Sequence, residues 1–162
     1  MITQEDIDAV ASLAEPLDKK ELNQAGWDSV EPDWVVNHMT PYEMVRDFAV
    51  RMEQPLDQKW QKDADLETLR WSLISEEYGE VCDASADNKP DNMLKEIADL
   101  AYVLYGYAAT YGWDLDVALR RVHHSNLSKL GLDGKPIKNE AGKVVKGPNY
   151  KYPNLSDLVE PK

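Results

Sequence analysis

Between Thr40 and Leu130 the apolar residues recur every three or four positions, which is the spacing of amphipathic helices. The pattern opens at Thr40-Pro41-Tyr42-Glu43, where Thr40 can cap, Pro41 suits the first helical position and Glu43 completes a capping box. It predicts a first helix to about Glu53, with Met44, Val45, Phe48 and Met52 as its buried stripe, stopped by Gln54-Pro55. A second helix is expected from about Asp65 to Ala86, with Leu66, Leu69, Leu73 and Val81 on or near one face. The turn is Asp87-Asn88-Lys89-Pro90. A third helix then carries Met93, Ile97, Leu100, Leu104 and Ala108 to about Tyr111, and Gly112 supplies its stop. Asp114 can cap a fourth, bearing Leu115, Ala118, Leu119 and Val122. Four helices joined by short turns predict an all-α fold with an antiparallel four-helix bundle as its core.

The flanks differ in character. Residues 1–39 form an acidic, tryptophan-containing N-terminal extension, with one short helix expected around Ile7 to Leu13 and irregular sequence after Pro16. Its role is not legible, and an arm packed on the domain or on a neighbouring subunit is favoured over a second active module. After Leu130, the residues Gly131, Asp133-Gly134, Pro136, Gly142 and Gly147-Pro148 are turn chemistry. Lys135 to Lys138 and Lys143 to Lys146 predict a small hairpin. The expected organisation is therefore an extension over 1–39, a helical domain over 40–130 and an irregular Lys/Gly/Pro-rich tail over 131–162.

At 162 residues and 43% hydrophobic, the chain suits one domain with a real core. Its net charge of -12 is unevenly spread: residues 128–151 hold six lysines against Asp133 and Glu140, a local balance of +4, leaving -16 elsewhere. Such a balance argues against a nucleic-acid polymer as partner, since that requires a basic patch or stripe. A small anion escorted by metal remains compatible. Cys82 is the sole cysteine, so neither an intrachain disulfide nor a cysteine-based zinc site is available, and a reducing cytoplasm fits best. No stretch approaches a membrane span and the first residues lack a secretory pattern, so the expectation is a cytoplasmic protein, in the host cytoplasm if viral.

Two acidic clusters, Glu76-Glu77-Tyr78-Gly79-Glu80 and Glu96-Ile97-Ala98-Asp99, carry the chemistry. Residues three apart share a helix face, so Glu77 with Glu80, and Glu96 with Asp99, each project a carboxylate pair. If the second and third helices are antiparallel neighbours, the pairs face each other and form a ligand set for a hard divalent cation. Solvated helix faces would read the same way. Against that stand the apolar flanks Ile97 and Leu100 and the poor helix former Asp99 in mid-helix. Tyr102, one turn beyond Asp99, is placed to orient a ligand or phosphate.

The order Glu-Glu-x-x-Glu, fifteen intervening residues, then Glu-x-x-Asp resembles the signature of the MazG-like all-α nucleoside triphosphate pyrophosphohydrolases, relatives of phosphoribosyl-ATP pyrophosphohydrolase. The likeness continues through Ser125-Asn126-Leu127-Ser128-Lys129-Leu130, Asp133-Gly134-Lys135-Pro136, the stretch from Gly142 to Tyr150 and Pro153-Asn154-Leu155, as in phage and bacterial proteins of that type. It covers about residues 40 to 158. The resemblance implies that Glu77, Glu80, Glu96 and Asp99 bind magnesium, with manganese as a substitute. It makes Glu76 the outer acid that either orients or deprotonates water or helps to hold the metal cluster, Glu77 shares the catalytic assignment, and Asn126 and Lys129 contact phosphate, with Lys146 and Tyr150 as further candidates. The implied reaction cleaves a nucleoside triphosphate between the α and β phosphates. A purine deoxynucleotide is the expected substrate, and a homodimer or homotetramer is expected.

Other readings account for less. The Nudix box matches only Glu76-Glu77-Tyr78-Gly79, because Ser72-Leu73, Ala64 and Gln58 stand where it needs other residues. A non-catalytic acidic helical interaction protein is the alternative of a different class, and it predicts acids scattered over exposed faces. His123 and His124 are adjacent and so point apart on a helix, which suits the surface. Trp60 and Trp71 are read as core residues in preference to base-stacking ones.

Overall fold

The computed structural model describes residues 38–87 and 89–159, so the short helix expected around Ile7 to Leu13, and Asn88 of the expected turn, lie outside the described residues. Contacts divide the chain into Met1–His38 and Met39–Lys162. The second unit carries the helices α1 (Pro41–Arg51), α2 (Ala64–Ala84), α3 (Pro90–Thr110), α4 (Leu115–Leu127) and the short α5 (Ser156–Val159). The fold is all-α, as the periodicity predicts.

Local chemistry sets the helix ends. The Glu43 amide donates to Thr40 Oγ1 at 3.3 Å and the Thr40 amide to Glu43 Oε2 at 2.7 Å, completing the capping box of α1. Asp63 starts α2 by accepting from the amides of Asp65 and Leu66 at 3.1 and 3.0 Å. Asp114 starts α4 through the Val117 amide at 2.9 Å. Gly112 stops α3 at φ 70°, and a Cβ there would meet Asp57 Oδ1 at 2.7 Å, so both the backbone and the space exclude other residues.

α2 and α3 form the central antiparallel pair. Along it Glu67 meets Tyr111, Trp71 meets Tyr107 and Glu80 meets Glu96, one number rising as the other falls. α1 packs on α3, and α4 touches both. Among the described residues the buried apolar ones are Val45, Ala49, Ala84, Ala108, Ala109 and Tyr111. Small residues dominate this set, which lets helix backbones approach closely. The predicted stripes are correspondingly less buried than expected. In α1, Val45 and Ala49 are covered while Phe48 is 37% and Met52 57% exposed, because Met52 lies beyond the helix end at its C-cap. On α3, Ile97 and Leu104 remain 47% and 44% exposed.

The tail is strapped to α4. Ser125 Oγ donates to the Lys151 carbonyl at 2.7 Å, the Lys151 amide donates to Ser128 Oγ at 2.8 Å, and Arg121 Nη2 donates to Asp157 Oδ2 at 2.8 Å. The Gly147 amide reaches the Lys129 carbonyl at 3.1 Å, and a Cβ at Gly147 would sit 2.6 Å from that oxygen. Isolated antiparallel bridges join Leu130 to Pro136 and Lys138 to Val144; the second links the two segments expected to pair, but among the described residues neither segment forms a strand, so the expected hairpin is reduced to a single bridge. Among the described residues no helix is long and apolar enough to cross a membrane.

Candidate functional site

The antiparallel pairing brings the two acidic clusters together. Ligand oxygens of Glu77 from α2 and of Glu96 and Asp99 from α3 all lie within 4.8 Å of one another. Glu96 is buried, Glu77 and Asp99 are half-buried, and Glu80 joins the group through Lys95, whose Nζ reaches both Glu80 and Glu96. Burial, then the charge of Asp99, pushes the Glu77 carboxyl above the usual glutamate range. The neighbouring Glu96 carboxyl, then the charge of Glu77, does the same to Glu80. Glu77 Oε2 is buried with no hydrogen-bond partner, a costly state for an acceptor. Three converging carboxylates, one of them with an unpartnered oxygen, have the all-oxygen chemistry that hard divalent cations take, so the residues fit magnesium or manganese. Glu76 is exposed and stands outside the trio, adding its charge to the field at Glu77.

Lys95 completes the site, and the sequence reasoning misses it. Its Nζ lies 2.9 Å from Asp99, 3.0 Å from Glu96 and 3.8 Å from Glu80. Asp99 first, then Glu96, hold its ammonium well above the ordinary lysine value. The i, i+4 spacing of Lys95 and Asp99 is the signal that could have found it.

The residues expected to touch phosphate pair among themselves. Lys129 Nζ donates to Asn126 Oδ1 at 2.6 Å at the end of α4, and Lys146 Nζ lies 4.4 Å from the centroid of the Tyr150 ring. Among the described residues none of these four forms an ion pair or hydrogen bond with the four acids. Tyr102 turns toward α1, its ring edge-to-face with Phe48 at 5.6 Å. Its phenol is pushed up by burial and by the Asp47 charge.

A second polar centre lies at the other end of the α2–α3 pair. Glu67 accepts from Tyr111 Oη at 2.6 Å, Tyr107 Oη at 2.7 Å and Trp71 Nε1 at 3.0 Å, and these bonds hold its carboxyl below the usual range. Ten residues of helix, about 15 Å, separate Glu67 from Glu77. Trp60 and Trp71 are 50% and 54% exposed, so the core reading of both is corrected. Trp60 meets Trp113 edge-on at 5.8 Å, on the wall of a cavity of about 860 Å³ that Arg46, Lys59 and Tyr111 also line. His123 and His124 are exposed with ring centroids 6.1 Å apart, as a surface pair should be.

Residues 45–126 match the family described as phosphoribosyl-ATP pyrophosphohydrolase (PRA-PH). The chain belongs to that family. PRA-PH proteins are an all-helical pyrophosphohydrolase type, consistent with the MazG-like resemblance read from the acids. The matched stretch contains all the acids of the site, Lys95, Tyr102 and Asn126, and leaves Lys129, Lys146 and Tyr150 outside it. The chain is also similar to an uncharacterized protein of Acanthamoeba polyphaga mimivirus, 35% identical over 68 residues. That alignment takes in 42% of this chain and 25% of the viral protein, so the chain spans about a quarter of the length of that relative.

Proposed function

We propose that this PRA-PH protein hydrolyses a nucleoside triphosphate between its α and β phosphates, giving a nucleoside monophosphate and pyrophosphate. The observation that carries the reading is the convergence of Glu77, Glu96 and Asp99 within 4.8 Å, with Glu77 Oε2 buried and unpartnered. Glu77, Glu80, Glu96 and Asp99 would hold magnesium, or manganese in its place. Bound there, the cation supplies charge neutralisation at phosphate oxygens and a lowered pKa for attacking water.

The chain's own residues do the rest. Glu76, exposed beside the cluster, orients the attacking water and accepts its proton. The water oxygen bonds to the α phosphorus as the α–β anhydride bond breaks, and pyrophosphate leaves with that electron pair. Asn126 and Lys129 donate to phosphate oxygens from the end of α4, with Lys146, braced against Tyr150, as a further cation and Tyr102 as a hydroxyl donor. The substrate class is a nucleotide carrying this anhydride, and phosphoribosyl-ATP belongs in the tested panel beside purine deoxynucleoside triphosphates.

Self-association is part of the same reading. Ile97 and Leu104, seven residues apart on one face of α3, stay exposed in the single chain, and a second copy would cover them. A cytoplasmic location is part of the same proposal, since the single cysteine, Cys82, can form no intrachain disulfide and the proposed substrate is a nucleotide. A non-catalytic acidic interaction protein would scatter its acids over exposed faces, whereas Glu96 is 7% exposed.

Hydrolysis in isotope-labelled water tests the proposed bond. The label is expected in the monophosphate, whereas label in pyrophosphate would place attack on the β phosphorus and overturn the mechanism.

A further inference from the structure

We infer that Lys95 is a built-in counter-cation of the acidic site, which competes with divalent metal for the same carboxylates and thereby sets how tightly metal binds. The inference rests on the reading of that site as a metal centre and concerns a residue to which that reading gives no part.

The geometry is specific. One ammonium reaches Asp99 at 2.9 Å, Glu96 at 3.0 Å and Glu80 at 3.8 Å, three of the four carboxylates that would hold the metal. A lysine on a solvated helix face would pair with one acid four residues away. This one also spans from α3 to Glu80 on α2, so it bridges the two helices that build the site. Without it, Glu77, Glu80, Glu96 and Asp99 would gather four carboxylates with no positive charge among them. Like charges at this spacing repel and weaken the helices that carry them.

The ammonium and a divalent cation seek the same oxygens. An ion ligated by Glu96 and Asp99 withdraws the lone pairs to which Lys95 donates, and two positive centres a few ångströms apart repel. Metal entry therefore requires Lys95 to leave. Its side chain is 59% exposed, and a lysine stem has the freedom to swing into solvent. The released ammonium stays tethered at the edge of the metal site, beside the position where the proposed substrate's phosphates would lie. Glu77 has no ion pair with Lys95, and its Oε2 has no partner at all, so the lysine covers the site incompletely. That gap is where a divalent ion gains most over the ammonium.

The experiment is calorimetric titration of manganese or magnesium into the full chain, without nucleotide, for the wild type, Lys95→Gln, Lys95→Arg and Lys89→Gln. Lys89 sits at the start of the same helix and makes no side-chain capping bond, so its replacement removes equal charge without touching the acids. Lys95→Gln is expected to bind metal on the order of tenfold more tightly, as removal of several weak competing ion pairs implies. Lys95→Arg should stay near the wild type, and Lys89→Gln should move far less than Lys95→Gln. In thermal melts without metal, Lys95→Gln should unfold at a lower temperature than Lys89→Gln, and added metal should stabilise it more than it stabilises the wild type. Unchanged or weaker binding by Lys95→Gln, or an equal gain in Lys89→Gln, overturns the inference while leaving the metal centre intact. A wild type that binds no divalent cation, with Glu96→Gln indistinguishable from it, removes the metal centre and the inference together.

Discussion

Lys95 Nζ stands 2.9 Å from the Asp99 carboxylate, one helical turn along α3, and the same ammonium reaches Glu80 on α2. The pairing ties the two acid-bearing helices together at the point where their charges are densest. It also marks which carboxylates share a common centre, and so which substitutions should abolish function.

Glu96→Gln and Asp99→Asn keep side-chain size but each removes a charge from the trio. Each should lower metal-dependent hydrolysis by roughly a hundredfold or more, because charge placed for the transition state is worth that much in a preorganised site. Glu76→Gln should lower turnover while leaving metal affinity near the wild type, since Glu76 lies outside the trio. Parallel kinetic and metal-titration series check this, and equal loss of metal binding in Glu76→Gln would move that residue into the ligand set.

The Glu77 carboxyl is raised above the ordinary glutamate value by burial and by Asp99. A raised folded-state value means that the folded protein holds its proton more tightly than the unfolded chain does. Its contribution is fully present below the unfolded value and is lost as pH rises through the folded one. Without metal, the wild type should therefore lose stability from about pH 4.5 upward relative to Glu77→Gln, and metal should remove that difference. Thermal melts of both proteins across this range give the result directly.

Glu67 behaves oppositely, because bonds from Tyr111 and Tyr107 lower its carboxyl. Its stabilisation is present above the unfolded glutamate value and is lost as pH falls through the depressed one. Tyr111→Phe deletes the 2.6 Å bond and should lower the melting temperature at neutral pH by about 3 °C. The difference should shrink on acidification below that value, and a constant difference would show that ring packing, not the bond, is responsible.

Gly147→Ala should loosen the tail, because a Cβ would sit 2.6 Å from the Lys129 carbonyl. Overpacking of this kind typically costs about 1–3 kcal/mol. Limited proteolysis is expected to cut the variant earlier within residues 131–159, with helical circular dichroism unchanged. If Lys129 and Lys146 hold phosphate, KM for the nucleotide rises as well.

Much of the fold is local in origin, and that part is legible in the sequence. Thr40 and Asp114 act through neighbours within four residues, so their capping roles can be read along the chain, and the stop at Gly112 is legible too, although its close approach to Asp57 is not. The pairing of Glu77 with Glu96 and Asp99 follows from i, i+3 spacing once two helices run antiparallel. What sequence spacing does not contain is rotation about the helix axis. Periodicity puts Phe48, Ile97 and Leu104 in buried stripes, yet contacts through Ala49, Ala108 and Ala109 leave them partly open. Trp60 and Trp71 are large and apolar and so read as core, whereas their indole N–H groups bond Tyr107 and Glu67 at the half-exposed end of the pair. The pairing of Lys95 with Asp99 is legible as i, i+4 spacing, but its bridge to Glu80, fifteen positions away and across the helix pair, is not.

The most direct test of the account is the product released from a panel of nucleoside triphosphates, canonical and modified, together with phosphoribosyl-ATP, with magnesium or manganese present or chelated. The account predicts pyrophosphate and a monophosphate from at least one member, strictly dependent on the divalent cation and lost in Glu96→Gln. Release of orthophosphate, turnover that survives chelation, or no cleavage of any nucleotide with either metal would contradict it.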